Sequence, residues 1–164
     1  MTMAGKVLVL MGSRGDREVM GESARVLSGY GIPCEMTVTS AHRSSGRTRQ
    51  IVSQAEVEGY SVIIAGAGAA AHLAGVVAAE TLLPVIGVPL ASSPLSGFDS
   101  LLSTVQMPAG VPVATMAVGK AGAQNAAHLA AQILALADPD LRKKVGEHRR
   151  RMAEEVAASA EEAR

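Results

Sequence analysis

Tryptophan is absent from the chain, and Phe98, Tyr30 and Tyr60 are its only aromatic residues. A core must then be assembled from Ala, Val, Leu, Ile and Met, and little is left to stack a flavin ring or successive nucleobases. Charge is scarce too: Asp, Glu, Lys and Arg make up 18% of the 164 residues, against roughly 25% in an ordinary soluble protein. The fifteen basic and fifteen acidic residues cancel, which argues against the basic footprint of a nucleic-acid binder. The run from Arg142 to Arg151 is interleaved with Glu147 and followed by Glu154 and Glu155, and reads as a solvated helix face. A lone cysteine, Cys34, excludes an intrachain disulfide and offers no metal-ligand spacing. No apolar stretch reaches the roughly 18 uncharged residues of a membrane span. The windows at 62–79 and 111–119 are broken by Gly, His or Pro, or are too short. The start of the chain lacks a basic segment followed by an apolar run and a cleavage site. A soluble cytoplasmic protein with no membrane partner is expected.

What the chain does contain is an alternation of strand and helix patterns. Lys6 to Met11 reads as a buried strand closed by Gly12, and Arg17 to Leu27 as a helix with Met20, Ala24 and Leu27 on one face. Pro33 to Thr39 is a second strand, Ser44 to Glu58 a second helix stopped by Gly59, and Ser61 to Ala65 a third strand. Val85 to Val88 and Val111 to Val118 supply two more, the last interrupted by Pro112. Such alternation predicts a parallel sheet covered on both faces: an α/β, three-layer, doubly wound domain of flavodoxin-like strand order 2-1-3-4-5. One domain spanning 1–164 is expected, with a core over about 6–137 and an extra C-terminal helix over about 139–160. Asp138 is placed to cap that helix and Pro139 to occupy its first position. Its apolar stripe is Leu141, Val145, His148, Met152 and Val156, and its end from Ala157 onward is expected to fray. Two further helices are expected over Ala69 to Ala79 and Gly122 to Leu136, both nearly free of charge, which predicts burial against a second subunit, or failing that inside the monomer.

Familiar nucleotide motifs fail one by one. Gly66-Ala67-Gly68-Ala69-Ala70-Ala71 fits a loose dinucleotide fingerprint, but apolar residues fill the stretch where its acidic residue belongs. Gly119-Lys120 lacks the other P-loop residues, Ala65-Gly66 stand where a receiver domain needs aspartate, and Phe98 is the only candidate flavin stacker. Three turns at strand ends carry the chemistry instead: Gly12-Ser13-Arg14-Gly15-Asp16, Ser40-Ala41-His42-Arg43-Ser44 and the segment Gly66 to Leu73. In the first, backbone N–H groups and Ser13 suit phosphate oxygens and Asp16 suits ribose hydroxyls, although either side chain can equally be a helix cap. Ser40, Arg43 and Ser44 form a second set of phosphate donors, with a surface ion pair the plainer role for Arg43. His42 can move protons near neutral pH, or serve as a cap. His72 is open to a packed structural role. Gly68, Ala69, Ala70 and Ala71 offer backbone N–H groups and methyls, a surface for a small, poorly solvated group.

Taken together these residues resemble the class I N5-carboxyaminoimidazole ribonucleotide mutase family of purine biosynthesis. The resemblance runs from about Val7 to Leu136 and rests on Met11-Gly12-Ser13 with Asp16, Ser40-Ala41-His42-Arg43, Ile63 to Gly68 with Ala70-Ala71-His72-Leu73, and Gly87-Val88-Pro89. It continues through Leu95-Ser96-Gly97 with Asp99-Ser100-Leu101, Val105-Gln106-Met107-Pro108, and Gly119 to Ala123 with Asn125-Ala126. It implies an octamer of doubly wound subunits that uses no metal, nucleotide or biotin. It also implies an isomerase that moves the carbamate carboxyl of a ribonucleotide monophosphate to ring carbon 4. By resemblance Ser13, Asp16, Ser40 and Arg43 hold the ribose phosphate and His42 is the general acid/base. The 66–73 loop, with Gly68, Ala69, Ala70 and Leu73, lines the carboxylate pocket with His72 close by. The chain departs from the pattern at Gly15, where serine is usual, and at Ala69, where glycine is common. Three other activities stay open: class II carboxylation of aminoimidazole ribonucleotide by free carbon dioxide, carboxylation of another ribonucleotide, and a non-catalytic nucleotide-binding oligomer.

Overall fold

Alternate residues of the first strand, β1 (Lys6–Met11), bury against opposite faces of a sheet. Val7, Val9 and Met11 join one apolar cluster, Leu8 and Leu10 the other. In the computed structural model, which describes residues 5–162, four strands follow: β2 (Cys34–Val38), β3 (Tyr60–Gly68), β4 (Val85–Leu90) and β5 (Ala114–Thr115). All are parallel and lie in the order β2-β1-β3-β4-β5, the flavodoxin-like order the sequence predicts. Helices α1 (Arg17–Tyr30) and α5 (Lys120–Leu134) cover one face, and α2 (Ser45–Ala55) and α3 (Leu73–Ala79) the other. The chain therefore leaves β1 toward one face and β3, its neighbour, toward the opposite face. Their C-terminal ends border a crevice, the position where such sheets bind ligands.

Several element boundaries differ from the sequence reading: α1 runs on to Tyr30, α2 stops at Ala55 and β4 extends to Leu90, and three further shifts have a clear physical cause. β3 runs three residues further than expected, because Gly66, Ala67 and Gly68 continue in register beside Val88, Pro89 and Leu90 of β4. Packing favours glycine at position 66: a Cβ on it would collide with the thioether of Met20 on α1 and force that side chain to move. α3 starts only at Leu73, since Ala69 takes a left-handed conformation (φ 51°) that breaks the chain direction before any helix can form. β5 shrinks to two residues; it lies at the sheet edge, pairs only with β4, and follows Pro112, which has no N–H for a ladder.

The sequence reading also missed a helix, α4 (Phe98–Val105). Its pattern is inverted: Ser100 and Thr104 face inward, while Phe98 is 64% exposed and Leu102 and Val105 nearly half exposed. The buried hydroxyls are satisfied, Ser100 Oγ donating to Leu90 O and Gly97 O at 2.9 Å and Thr104 Oγ1 to Ser100 O at 2.7 Å.

The Ala-rich α5 buries its small face inside its own subunit. Ala123, Ala126, Ala127, Ala130 and Ala131 are fully enclosed between α1 and the sheet, so this helix does not need a second chain to cover it. The final helix, α6 (Pro139–Glu162), is capped as expected: Asp138 Oδ1 accepts the N–H groups of Asp140 and Leu141, both at 3.0 Å. Of its stripe, Leu141 is buried and Val145 partly so, whereas Met152 and Val156 are exposed. Helical structure extends to Glu162, through most of the stretch from Ala157 expected to fray; residues 163 and 164 of that reading lie outside the described residues. Among the described residues no helix is long and apolar enough to cross a membrane.

α6 is held to the body by a ring cluster. His128 of α5 stacks on His148 of α6, with centroids 4.5 Å apart, and its Nδ1 lies 2.9 Å from the hydroxyl of Tyr30. Lys144 Nζ donates to Tyr30 O at 2.8 Å. Burial first, then the charges of His148 and Arg149, lower the pKa of His128 below the usual imidazole value. The unfolded chain therefore takes up this proton at a higher pH than the folded one. The resulting stability is complete above about pH 6.5 and is lost as pH falls through the lowered folded value. Melting temperature is expected to drop between about pH 7 and pH 5, and less steeply in His128→Gln; equal slopes would refute the assignment.

Candidate active site

The loop after β2 is built before any ligand arrives. Thr39 N–H donates to Met11 O at 3.0 Å, which ties the end of β2 to β1. The Thr39 and Thr48 hydroxyls meet at 2.7 Å, both buried, and Thr48 Oγ1 also donates to Ser44 O at 3.3 Å. Ser40 N–H donates to Ser44 Oγ at 2.9 Å, and Ser44 N–H returns to Ser40 O at 3.0 Å. This closed turn projects His42 and Arg43 outward. Replacing Thr48 by Val strands the buried Thr39 hydroxyl and is expected to cost about 1–3 kcal/mol. The loss is measurable as a lower denaturant midpoint, and an unchanged midpoint would show that the pair does not anchor the turn.

Arg43 bridges two loops. Its Nη2 donates to Gly12 O at 3.1 Å, and its backbone N–H and Nε reach Ser40 Oγ at 3.1 and 3.4 Å. Among the described residues it has no carboxylate partner, so the plainer ion-pair reading does not hold and the guanidinium keeps donors for an anion. In the first loop the cap reading does hold. Ser13 N–H donates to Asp16 Oδ2 at 2.9 Å at the start of a 3₁₀ turn (Arg14–Asp16). Asp16 is buried yet lines the same cavity, so capping occupies one oxygen and leaves the other for a ligand. Gly15 is sterically free: a Cβ there would meet only Ser13 Oγ, at 3.5 Å. The missing hydroxyl is thus a difference of sequence that the fold does not demand.

His72 comes from the turn between β3 and α3 and meets His42. His42 Nε2 lies 2.9 Å from His72 Nδ1, with the rings edge-on and centroids 4.8 Å apart. His72 Nδ1 is also 3.0 Å from Ala70 O, which can only accept, so the proton of neutral His72 belongs on Nδ1. While both rings are neutral, His42 Nε2 faces it with a lone pair. Neither ring is buried, which sets aside the packed-core reading of His72. The Ala71 and His72 N–H groups donate to Ala69 O and Ala70 O at 2.8 Å. These two backbone donors are thus committed within the turn, contrary to the expectation for Ala71.

All ten predicted positions line one cavity of about 300 Å³ at the C-terminal edge of the sheet. Ser13 and Asp16 come from the β1 loop, Ser40, His42 and Arg43 from the β2 loop, and Gly68, Ala69, Ala70, His72 and Leu73 from the β3 end. The sequence reading overlooked Ser92, which enters from the loop after β4. A usable signal was present, because Ser92-Ser93 follows the fourth apolar strand at the same sheet edge.

A doubly wound α/β protein with a histidine pair, a small-residue alcove and an arginine lining one cavity has the form of an enzyme for a phosphorylated small molecule. The AIR carboxylase pattern matches residues 6–155, and the chain belongs to that family. It is 53% identical over 154 residues to the N5-carboxyaminoimidazole ribonucleotide mutase of Pseudomonas aeruginosa, covering 94% of both chains. To the enzyme of that name from Escherichia coli K12 it is 50% identical over 151 residues, 92% of this chain and 89% of the other. The crystal structure of Treponema denticola PurE superposes with a TM-score of 0.87 at 25% identity, covering 95% of this chain and 96% of that one.

Proposed function

We propose that the chain converts N5-carboxyaminoimidazole ribonucleotide into 4-carboxy-5-aminoimidazole ribonucleotide in purine biosynthesis, as an isomerase. The observation that carries this reading is the hydrogen-bonded His42–His72 pair at the mouth of an alcove walled by Ala67, Gly68, Ala69, Ala70 and Leu73. Arg43, Ser13 and Ser40 hold the phosphate and Asp16 a ribose hydroxyl. Protonated His42 gives its proton to the carbamate nitrogen as the N–C bond breaks, releasing carbon dioxide and aminoimidazole ribonucleotide. Ring carbon 4 then attacks the trapped carbon dioxide, forming the new C–C bond, and His42 takes the proton that carbon 4 sheds. One imidazole thus ends the cycle as it began. The apolar wall keeps the neutral gas beside its acceptor, so recapture is faster than escape.

A purified-protein assay tests the proposal: conversion is expected without ATP or added bicarbonate. A demand for high bicarbonate and uncarboxylated substrate would replace it by class II carboxylation, and binding without turnover would make the protein a sensor. We read the working form as a cytoplasmic homo-oligomer, an octamer on the family pattern. In support, Phe98, Leu102 and Val105 on α4 and Leu82 are exposed large apolar residues on a single chain. A monomeric mass by light scattering would refute that assembly.

A further inference from the structure

The loop after β4 brings one more polar group into the cavity. Leu90, the last residue of β4, pairs with Gly68, the last of β3. Two residues on, the Ser92 side chain folds back over that strand end, so that a Cβ on Gly68 would collide with Ser92 Oγ. Gly68 is therefore not merely a lining residue. Its missing side chain is the space through which the hydroxyl reaches the alcove.

The loop that carries the hydroxyl is fixed, and the hydroxyl itself is unclaimed. Ser93 Oγ accepts the Leu95 N–H at 3.1 Å, and Ser93 O accepts the Ser96 N–H at 3.2 Å. Ser96 and Gly97 both take left-handed conformations (φ 52° and 88°), and Ser100 ties Gly97 O and Leu90 O together. Ser96, a residue with a side chain at positive φ, is strained, and such strain collects where a site fixes its geometry. Among the described residues no protein group hydrogen-bonds to Ser92 Oγ, whereas the nearby Ser93, Ser100 and Ser103 hydroxyls are all engaged.

We propose that Ser92 is a substrate-binding residue whose hydroxyl donates to the migrating carboxylate, holding it against the Gly68 strand end. The inference rests on the mutase reading and deepens it. A carboxylate entering a wall of Ala67, Ala69, Ala70 and Leu73 loses water and needs a donor in return. The Ala71 and His72 N–H groups are already spent on neighbouring carbonyls, and His72 Nδ1 is shared between Ala70 O and His42. Ser92 is the free side-chain donor on the β4 side. It also gives the alcove its selectivity: a carboxylated base gains a partner there, and an uncarboxylated one does not.

The test is Ser92→Ala in the full chain, titrated calorimetrically with 4-carboxy-5-aminoimidazole ribonucleotide and with aminoimidazole ribonucleotide. The fraction of turnovers that release the uncarboxylated nucleotide is scored alongside. Ser92 is exposed, so folding and melting temperature are expected to be unchanged. The carboxylated ligand is expected to bind about tenfold or more weakly, the loss of one hydrogen bond to a charged group. The uncarboxylated ligand binds as before, and the released fraction rises. Equal weakening of both ligands, or unchanged affinity and release in an active protein, overturns the Ser92 assignment alone. Absence of conversion by the unsubstituted chain overturns the mutase reading and this inference with it.

Discussion

Asparagine in place of His42 is expected to leave the folded protein and its ligand affinity nearly intact while lowering turnover more than about a hundredfold, the usual scale for losing a general acid/base. The fold is insensitive because His42 sits exposed on a turn that other residues hold together. Among the described residues its only side-chain partner is His72. The turn is closed by Ser40 and Ser44 and anchored by Thr39 and Thr48, none of which the substitution touches. Asparagine can still hydrogen-bond to the His72 N–H, but it cannot carry a proton between carbamate nitrogen and ring carbon near neutral pH. Steady-state kinetics beside calorimetry separates the two effects. Turnover within a few-fold of the original would remove His42 from the mechanism.

Where the sequence was a good guide, the controlling physics was local. β1 reads as a strand because every residue from Val7 to Met11 is apolar, and both faces of a central parallel strand are indeed buried. Asp138-Pro139 caps α6 by a rule that needs no tertiary context. The ten candidate positions line one cavity because they fall at strand ends, and the strand order brings those ends together.

What was not legible depends on distant partners. α4 hides because its buried positions are Ser100 and Thr104, whose hydroxyls are satisfied by Leu90, Gly97 and Ser100 carbonyls that periodicity cannot foresee. β3 continues through Gly66 and Gly68 because β4 is there to pair with them, and because Met20 and Ser92 occupy the space a side chain would need. Read locally, those same glycines say loop. The joining of Arg43 to Gly12 and of His42 to His72 spans about thirty residues each, so sequence could propose the residues but not their contacts.

Alanine in place of Arg43 is expected to raise KM by roughly ten- to a hundredfold, with a smaller fall in kcat. A charge-assisted hydrogen bond is worth about 1.5–3 kcal/mol, and each 1.4 kcal/mol is a factor of ten in affinity. The effect falls mainly on KM because the phosphate lies away from the bonds that change, so its grip is nearly the same in ground and transition states. Some loss of kcat is still expected. Arg43 Nη2 also fastens the His42 turn to Gly12 O, and freeing that turn lets the imidazole wander from the reacting nitrogen. Arg43→Lys separates the two contributions: an ammonium restores charge but not the planar fork that reaches Gly12 and Ser40 while facing a phosphate. KM is then expected to recover in part while kcat stays low. Because Arg43 is exposed, rising ionic strength is expected to raise KM of the original protein and hardly affect the alanine variant. An unchanged KM in Arg43→Ala, or equal salt sensitivity in both proteins, would mean that the phosphate is held elsewhere.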